Sequence, residues 1–297
     1  MIDNKYLSLV KIVELGSYTK AAEALSLSQP AVTMHIKQLE EEFAIKIFDR
    51  TRGHVSLSKE GELLLRYIHR MMALENDLIR AMNHEKNRVR SLNVGITHTA
   101  ESSAIIEALA AFVRSMDAVN LKIITNTGER LLSMLQNYEL DFAFVEQQLS
   151  ADKIRYATLG SDYLVLALAP DHPLAKRGRI SLKELKQERM ILRLPDSGTR
   201  NLFVANLESI GESISDFNIV IEIDSVATIK DLIRRQFGVS VLARSACLDE
   251  YKKGKLALLP IEGLSMERST HIACREDFEY PEIIDGIVQT YHEMQGA

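Results

Sequence analysis

Residues 17–52 read SYTKAAEALSLSQPAVTMHIKQLEEEFAIKIFDRTR, and the fold of the N-terminal part of the chain turns on them. Ala21, Ala22 and Leu25 are small or apolar at helical spacing, Ser17 or Thr19 is placed to cap them, and Leu27-Ser28 make a turn. Ser28 then caps a second helix whose first turn holds Gln29 and Pro30, where proline's missing N–H costs little. Val32, Ile36, Leu39 and Phe43 follow at intervals of four, three and four, which predicts one shared buried face. The opposite face carries Pro30, Thr33, Met34, Lys37 and Glu41. An apolar back with a short polar front at the N-terminal end is the form that reads a DNA major groove. An ordinary surface helix pair fits the same features. The continuation from Phe48 to Ser58, FDRTRGHVSLS, favours the groove reader. It reads as a tight turn between two short extended stretches, with Arg50, Arg52 and His54 projecting as a basic wing able to reach phosphates or the minor groove.

From Leu9 to Gly61 the chain closely resembles the N-terminal domain of LysR-type transcriptional regulators. The resemblance is carried by Ala21-Ala22 before Leu25, Ser28 to Thr33, Ile36-Lys37 with Leu39-Glu40, Phe48 with Arg50, and Leu57-Ser58 with Gly61. It implies base-edge contacts from Gln29, Pro30, Thr33 and Met34 and phosphate contacts from Lys37, Arg50 and Arg52. Met34 departs from the arginine common in the family, which points to an apolar contact such as a thymine methyl. The resemblance further implies a homodimer on double-stranded DNA, assembled into a tetramer as a dimer of dimers, with RNA polymerase as a further partner.

Composition is that of a globular protein of two or three packed units, 297 residues with 46% hydrophobic and 26% charged side chains. The net charge of −5 is unevenly spread: residues 1–90 hold 14 Lys and Arg against 12 Asp and Glu, and residues 91–297 hold 22 against 29. The DNA-reading part is therefore basic locally, at Lys37, Arg50 and Arg52, and is expected to bind DNA weakly without a second copy to double the contacts. The first residues, MIDNKYLSLVKIVEL, form an amphipathic helix carrying charges, unlike a signal peptide. No apolar run approaches the ~20 residues of a membrane span, so we expect a cytoplasmic protein. Cys247 and Cys274 match no metal spacing and suggest no disulfide framework.

From Ser58 a proline-free helix is expected through residue 87, with Leu64, Ile68, Met71, Leu74, Leu78 and Met82 as its apolar stripe. About 30 helical residues span ~45 Å, too far for the small N-terminal domain to cover. A second copy of the same helix is the preferred cover, and packing on the C-terminal domain is the alternative. Residues 83–90 read as a hinge. The rest alternates strands and helices. Strands are expected at 92–97, 121–125, 141–146, 163–168, 190–194, 219–223, 239–242, 256–259 and 270–274, with helices at 101–115, 128–137, 199–210, 226–236 and 281–294. Such βα repeats predict mostly parallel sheets. The fold expected is thus α/β with an all-α N-terminal domain: a winged helix-turn-helix over 1–58, a linker helix and hinge over 59–90, and an effector domain over 91–297. The last divides into subdomain I (91–162 plus 268–297) and subdomain II (163–267), an arrangement that resembles the two-subdomain, periplasmic-binding-protein-like effector domain of the same family.

Ligands of α/β sheets sit where strands hand over to helices, at free N–H groups and the positive end of a helix. Thr97-His98-Thr99, Ser197-Gly198-Thr199 with Arg200, and Ser225 occupy such junctions, and Gln147 closes the set. Hydroxyls, glycine and helix ends converging in a cleft suit a small anionic co-inducer, a carboxylate or a sulfur oxyanion, with no other cofactor and no metal. For each hydroxyl, plain helix capping is the competing account. Other readings are redox sensing through Cys247 and Cys274, an enzyme, and a solute receptor. An enzyme would need a nucleophile-and-base constellation, a dinucleotide fingerprint or a metal cluster, none of which the sequence offers. A receptor would need an export signal.

Overall fold

A computed structural model describes residues 2–49, 56–87, 90–116, 119–148, 151 and 153–296. They form two compact units, Met1–Arg90 with Gln136–Glu139, and Ser91–Leu135 with Leu140–Ala297.

In the first unit, α1 (Asn4–Leu15) is capped by Asp3, whose carboxylate accepts from the Lys5 N–H, and stopped by Gly16 at φ 63°. Ser17 caps α2 (Tyr18–Ala24) and Ser28 caps α3 (Gln29–Phe43), each accepting an N–H three residues on. Leu9, Ile12, Ala21, Val32, Leu39 and Ile47 pack as one core, and buried Ser8 ties α1 to α3 through His35 Nδ1 at 2.7 Å. The buried face of α3 ends at Leu39. Phe43, expected to share it, is 43% exposed. Ala44 turns the chain in the left-handed region immediately afterwards, and Glu40 fixes that turn by accepting from the Ile47 N–H at 2.9 Å. Phe43 therefore falls beyond the covered stretch.

Strands β1 (Phe48–Asp49) and β2 (Ser56–Leu57) pair antiparallel and frame the wing; Arg50, Arg52 and His54 lie outside the described residues. Ser58 opens α4 (Lys59–Asn87), accepting from the Gly61 N–H at 2.9 Å and donating to the Lys46 carbonyl at 2.5 Å. Gly61 is required here, because a Cβ would run into the Ile47 carbonyl oxygen. The expected apolar stripe of α4 divides. Leu64 and Ile68 turn down into the core, whereas Met71, Leu74, Leu78 and Met82 are exposed together with Leu63, Tyr67 and Ile79. The helix runs through Asn87 as expected, so most of 83–90, the stretch also read as a hinge, is helical.

The second unit runs β3 (Arg90–Ile96), α5 (His98–Glu101), α6 (Ile105–Arg114), β4 (Val119–Thr125), α7 (Gly128–Gln136), β5 (Phe142–Val145) and β6 (Ile154–Leu168). It continues with α8 (Leu182–Leu185), β7 (Met190–Leu192), α9 (Gly198–Ser209), β8 (Ile219–Glu222), α10 (Val226–Arg234) and β9 (Ser240–Ala243). The last elements are α11 (Leu248–Lys252), β10 (Ala257–Leu259), β11 (Glu267–Arg275) and α12 (Pro281–Gly296). The helix expected over 101–115 is broken, because the Ser103 hydroxyl takes the Ala100 carbonyl at 2.7 Å and accepts from the Ile105 N–H at 3.3 Å.

The main sheet has the order β10-β6-β11-β5-β3-β4, with β9 also on β6. It is mixed, not mostly parallel: β3 and β5 run parallel, while β11 lies antiparallel to both β5 and β6, and β6 is antiparallel to β9 and β10. The cause is β6. Its first part, Ile154–Tyr163, pairs with β11, and its last part, Leu164–Leu168, pairs with β9 and β10. One 15-residue strand thereby belongs to two lobes. Sequence periodicity exposes only 163–168 as strand, since Gly160-Ser161-Asp162 interrupts the apolar pattern. One lobe buries Phe142, Phe144 and Ile283 among others; the other buries Leu166, Phe203 and Val241. The cleft lies between them.

Candidate nucleic-acid interface and ligand cleft

The front of α3 is an open polar surface. Gln29, Pro30, Thr33, Met34 and Lys37 are all exposed, Met34 at 58%. Thr33 donates to the Gln29 carbonyl at 2.9 Å, and Lys37 stands 3.7 Å from Glu41 in an exposed pair that water screens. These five side chains share one face because the helix is locked at both ends, by Ser28 and by the Ala44 turn, while Val32, Ile36 and Leu39 anchor its back. Of the seven residues assigned to DNA, these are the five that fall within the described residues.

In the second unit a cavity of about 630 Å³ opens between the lobes, within the range of small-molecule sites. Thr97, His98, Thr99, Gln147, Ser197, Gly198 and Thr199 line it. Ser225 does not: it is exposed and caps α10, accepting from the Thr228 N–H at 3.2 Å. Thr97 also caps, accepting from the Ala100 N–H at 3.2 Å, and its hydroxyl donates to Glu146 Oε1 at 2.5 Å. Ser197 behaves differently. It occupies the N-cap position of α9 with no side-chain cap bond, it is 5% exposed, and its hydroxyl has no partner among the described residues. At Gly198 a Cβ would meet nothing within 4 Å. The start of α9 is thus a bare helix end facing the cavity.

Behind it lies a buried network. Thr99 and Thr199 hydroxyls are 3.2 Å apart, and Arg268 donates to Thr199 at 3.3 Å and pairs with Asp162 at 3.4 Å. Asp162 also accepts from the Ser245 N–H and hydroxyl. On another wall Asp224 bridges Arg193, at 2.6 Å, and His98, at 2.9 Å, which tethers His98. Arg193 and Arg268 each keep a buried Nε–H without an acceptor. Arg200, expected to face an anion, turns away to Glu222 and the Arg193 carbonyl. His271 lines the cavity beside Gln148 and Thr158, and burial lowers its pKa. Sequence reasoning missed Arg193, Arg268, Glu146 and His271. Glu146, Arg193 and His271 sit inside a strand pattern and Arg268 just before one, where a polar residue reads as solvent-facing.

Among the described residues no cluster of His, Cys, Asp or Glu is arranged to hold a metal, and no helix is long and apolar enough to cross a membrane. Both cysteines are buried, in separate apolar clusters. Burial pushes the Cys247 thiol up to about 12, the reverse of the lowered pKa that makes a sensor thiol reactive. Cys274 accepts from Arg155 Nε at 3.1 Å.

Two family models match: the bacterial regulatory helix-turn-helix of the lysR family over residues 4–62, and the LysR substrate binding domain over residues 86–294. The transcriptional regulator CfxR of Cupriavidus necator is 30% identical over 269 residues, 89% of this chain and 82% of that one. Two solved structures are alike in fold. Full-length CbnR complexed with its target DNA has a TM-score of 0.63 at 18% identity, covering 99% of both chains. The regulatory domain of CcmR from Synechocystis, in complex with 2-PG, has a TM-score of 0.61 at 22% identity, covering 69% of this chain and 98% of that one.

Proposed function

The chain belongs to the LysR family of transcriptional regulators, and from that premise we propose that its effector is a small metabolite whose anionic head sits at the start of α9, in the cleft between the lobes. The observation that carries this reading is Ser197: buried, at a helix N-terminus, yet engaged in no cap. Free N–H groups at a helix start, with the dipole behind them, favour an anion. Thr99, Thr199 and the open approach at Gly198 complete a pocket of neutral donors. The CcmR domain, alike in fold, was solved with a small molecule, 2-PG.

DNA is contacted by Gln29, Pro30, Thr33 and Met34 at base edges and by Lys37, Arg50 and Arg52 at phosphates. The protein acts as a homodimer through α4, whose exposed Leu63, Tyr67, Met71, Leu74, Leu78 and Met82 follow intervals of four, four, three, four and four along one face. Two such dimers form a tetramer on a pseudo-palindromic site, in the cytoplasm, with RNA polymerase as the downstream partner. No chemistry is performed on the ligand. It acts by binding one arrangement of the lobes better than another, and can shift the DNA complex only by that difference in affinity.

The test is footprinting of full-length protein on its promoter with and without effector. Lys37→Ala is expected to weaken binding in both states. Gly198→Leu is expected to leave the unliganded footprint intact and remove the effector-dependent change. A footprint that still responds to effector in Gly198→Leu rejects the site.

A further inference from the structure

We propose that the ligand is a zwitterion of the α-amino acid class, held by its carboxylate at the start of α9 and by its ammonium group at Glu146; this rests on the cleft being the effector site. The carboxylate end follows from two independent observations. The first is the uncapped start of α9, where Ser197 is 5% exposed and its hydroxyl unengaged. The second is Arg268, which lines the cavity, is 5% exposed at its side chain and donates through Nη1 to Thr199 in the first turn of α9, so that a guanidinium stands beside that helix end.

The ammonium end follows from the charges. The ionised side chains lining the cavity are Arg193 and Arg268 against Glu129, Glu146, Asp196 and Glu267. Both arginines are already answered by carboxylates that do not line the cavity, Asp224 and Asp162. None of the four lining carboxylates has a cationic partner among the described residues. A sulfate or phosphate dianion would therefore enter a surface whose charge is already negative and whose two arginines are already paired with carboxylates. A zwitterion brings no net charge and supplies the missing cation. Glu129, Asp196 and Glu267 are exposed at the rim, where water screens them, but Glu146 is half-buried.

The spacing agrees. Thr97 touches Glu146 and Thr99 touches Thr199. These threonines are two residues apart, at most about 7 Å along the backbone. One short segment, Thr97–Thr99, thus touches both the acidic group and the start of α9 on the wall of one cavity.

The experiment is isothermal titration of the full-length protein. The panel is the twenty protein amino acids, the deamino counterpart of each hit (propionate for alanine, glutarate for glutamate), sulfate and inorganic phosphate. An amino acid should bind at least tenfold more tightly than its deamino counterpart. Glu146→Gln should remove that preference without weakening the deamino compound, and Ser197→Ala should weaken both alike. A dianion binding more tightly than every amino acid, a panel with no amino-acid hit, or a preference that survives Glu146→Gln each overturns the proposal. Gly198→Leu separates the two levels. If it abolishes binding while Glu146→Gln changes nothing, the cleft stands and the zwitterion falls; if it leaves the hit's binding unchanged, the cleft reading falls and the zwitterion with it.

Discussion

The starts of α3 and α9 use the same residue type at the same helix position for opposite ends. Ser28 is exposed and its hydroxyl accepts from the Ala31 N–H, while Pro30 removes another donor from the first turn. With its backbone accounted for, α3 has only side chains to offer the DNA proposed above. Ser197 is buried and caps nothing, and Gly198 puts no side chain in the way. With its first turn left uncapped, α9 has N–H groups to offer the ligand proposed above. A capped, exposed helix start suits a large surface that supplies its own contacts. An uncapped one beside a cavity suits the anionic head proposed above, since the helix end offers N–H donors that no side chain of its own occupies.

The contrast is sharpest under substitution. Gly198→Leu fills the approach to α9 without touching the fold, so ligand affinity should fall more than about a hundredfold, equal to ~2.7 kcal/mol, while the urea midpoint stays put; titration and denaturation together check it. Lys37→Ala acts only at the other end, lowering DNA affinity about tenfold across sequences and reducing the salt slope by about one, as binding assays over a range of salt would read. Stability should then invert the pair. Ser28→Ala removes a working cap and costs about 1 kcal/mol, whereas Ser197→Ala should cost less than half of that in the same unfolding experiment. Equal costs would mean Ser197 is an ordinary cap, and the contrast would collapse.

A smaller effect concerns pH. Burial depresses the pKa of His271, so the fold holds it neutral. Its contribution to stability is present above the unfolded value near 6.5 and is lost as pH falls through the lower folded value. Replacing it by Gln should flatten that part of the stability profile of the C-terminal unit.

The N-terminal unit was legible because its signals are local. Ser17, Ser28, Pro30, the Val32-Ile36-Leu39 spacing and Gly61 each act within a few residues of themselves, and the structure adds only reasons, such as the Ile47 carbonyl that excludes a side chain at Gly61. Phe43 misled because periodicity does not say where a core stops. In the cleft, the residues at strand-to-helix junctions were visible, and Thr97, Thr99, Ser197 and Thr199 do meet there. Ser225 carries the same signature and caps a helix elsewhere, which no local pattern distinguishes. Arg193, Arg268 and Asp162 were invisible for a different reason: their meaning lies in partners 31 and 106 positions away. The mixed sheet escaped notice because β11 returns between β5 and β6 from the far end of the chain.

The long strand β6 has a bearing on how this protein can be taken apart. Because the backbone passes between lobes inside a strand, at Tyr163–Leu164, no loop exists at that crossing where the chain could be cut. A fragment ending there would carry half a strand with a raw hydrogen-bonding edge, prone to pair with another copy. The two lobes are therefore inseparable as pieces although distinct as cores. One of the two connections between the lobes is thus a shared peptide ladder, the other being the segment 260–266 that leads from β10 to β11.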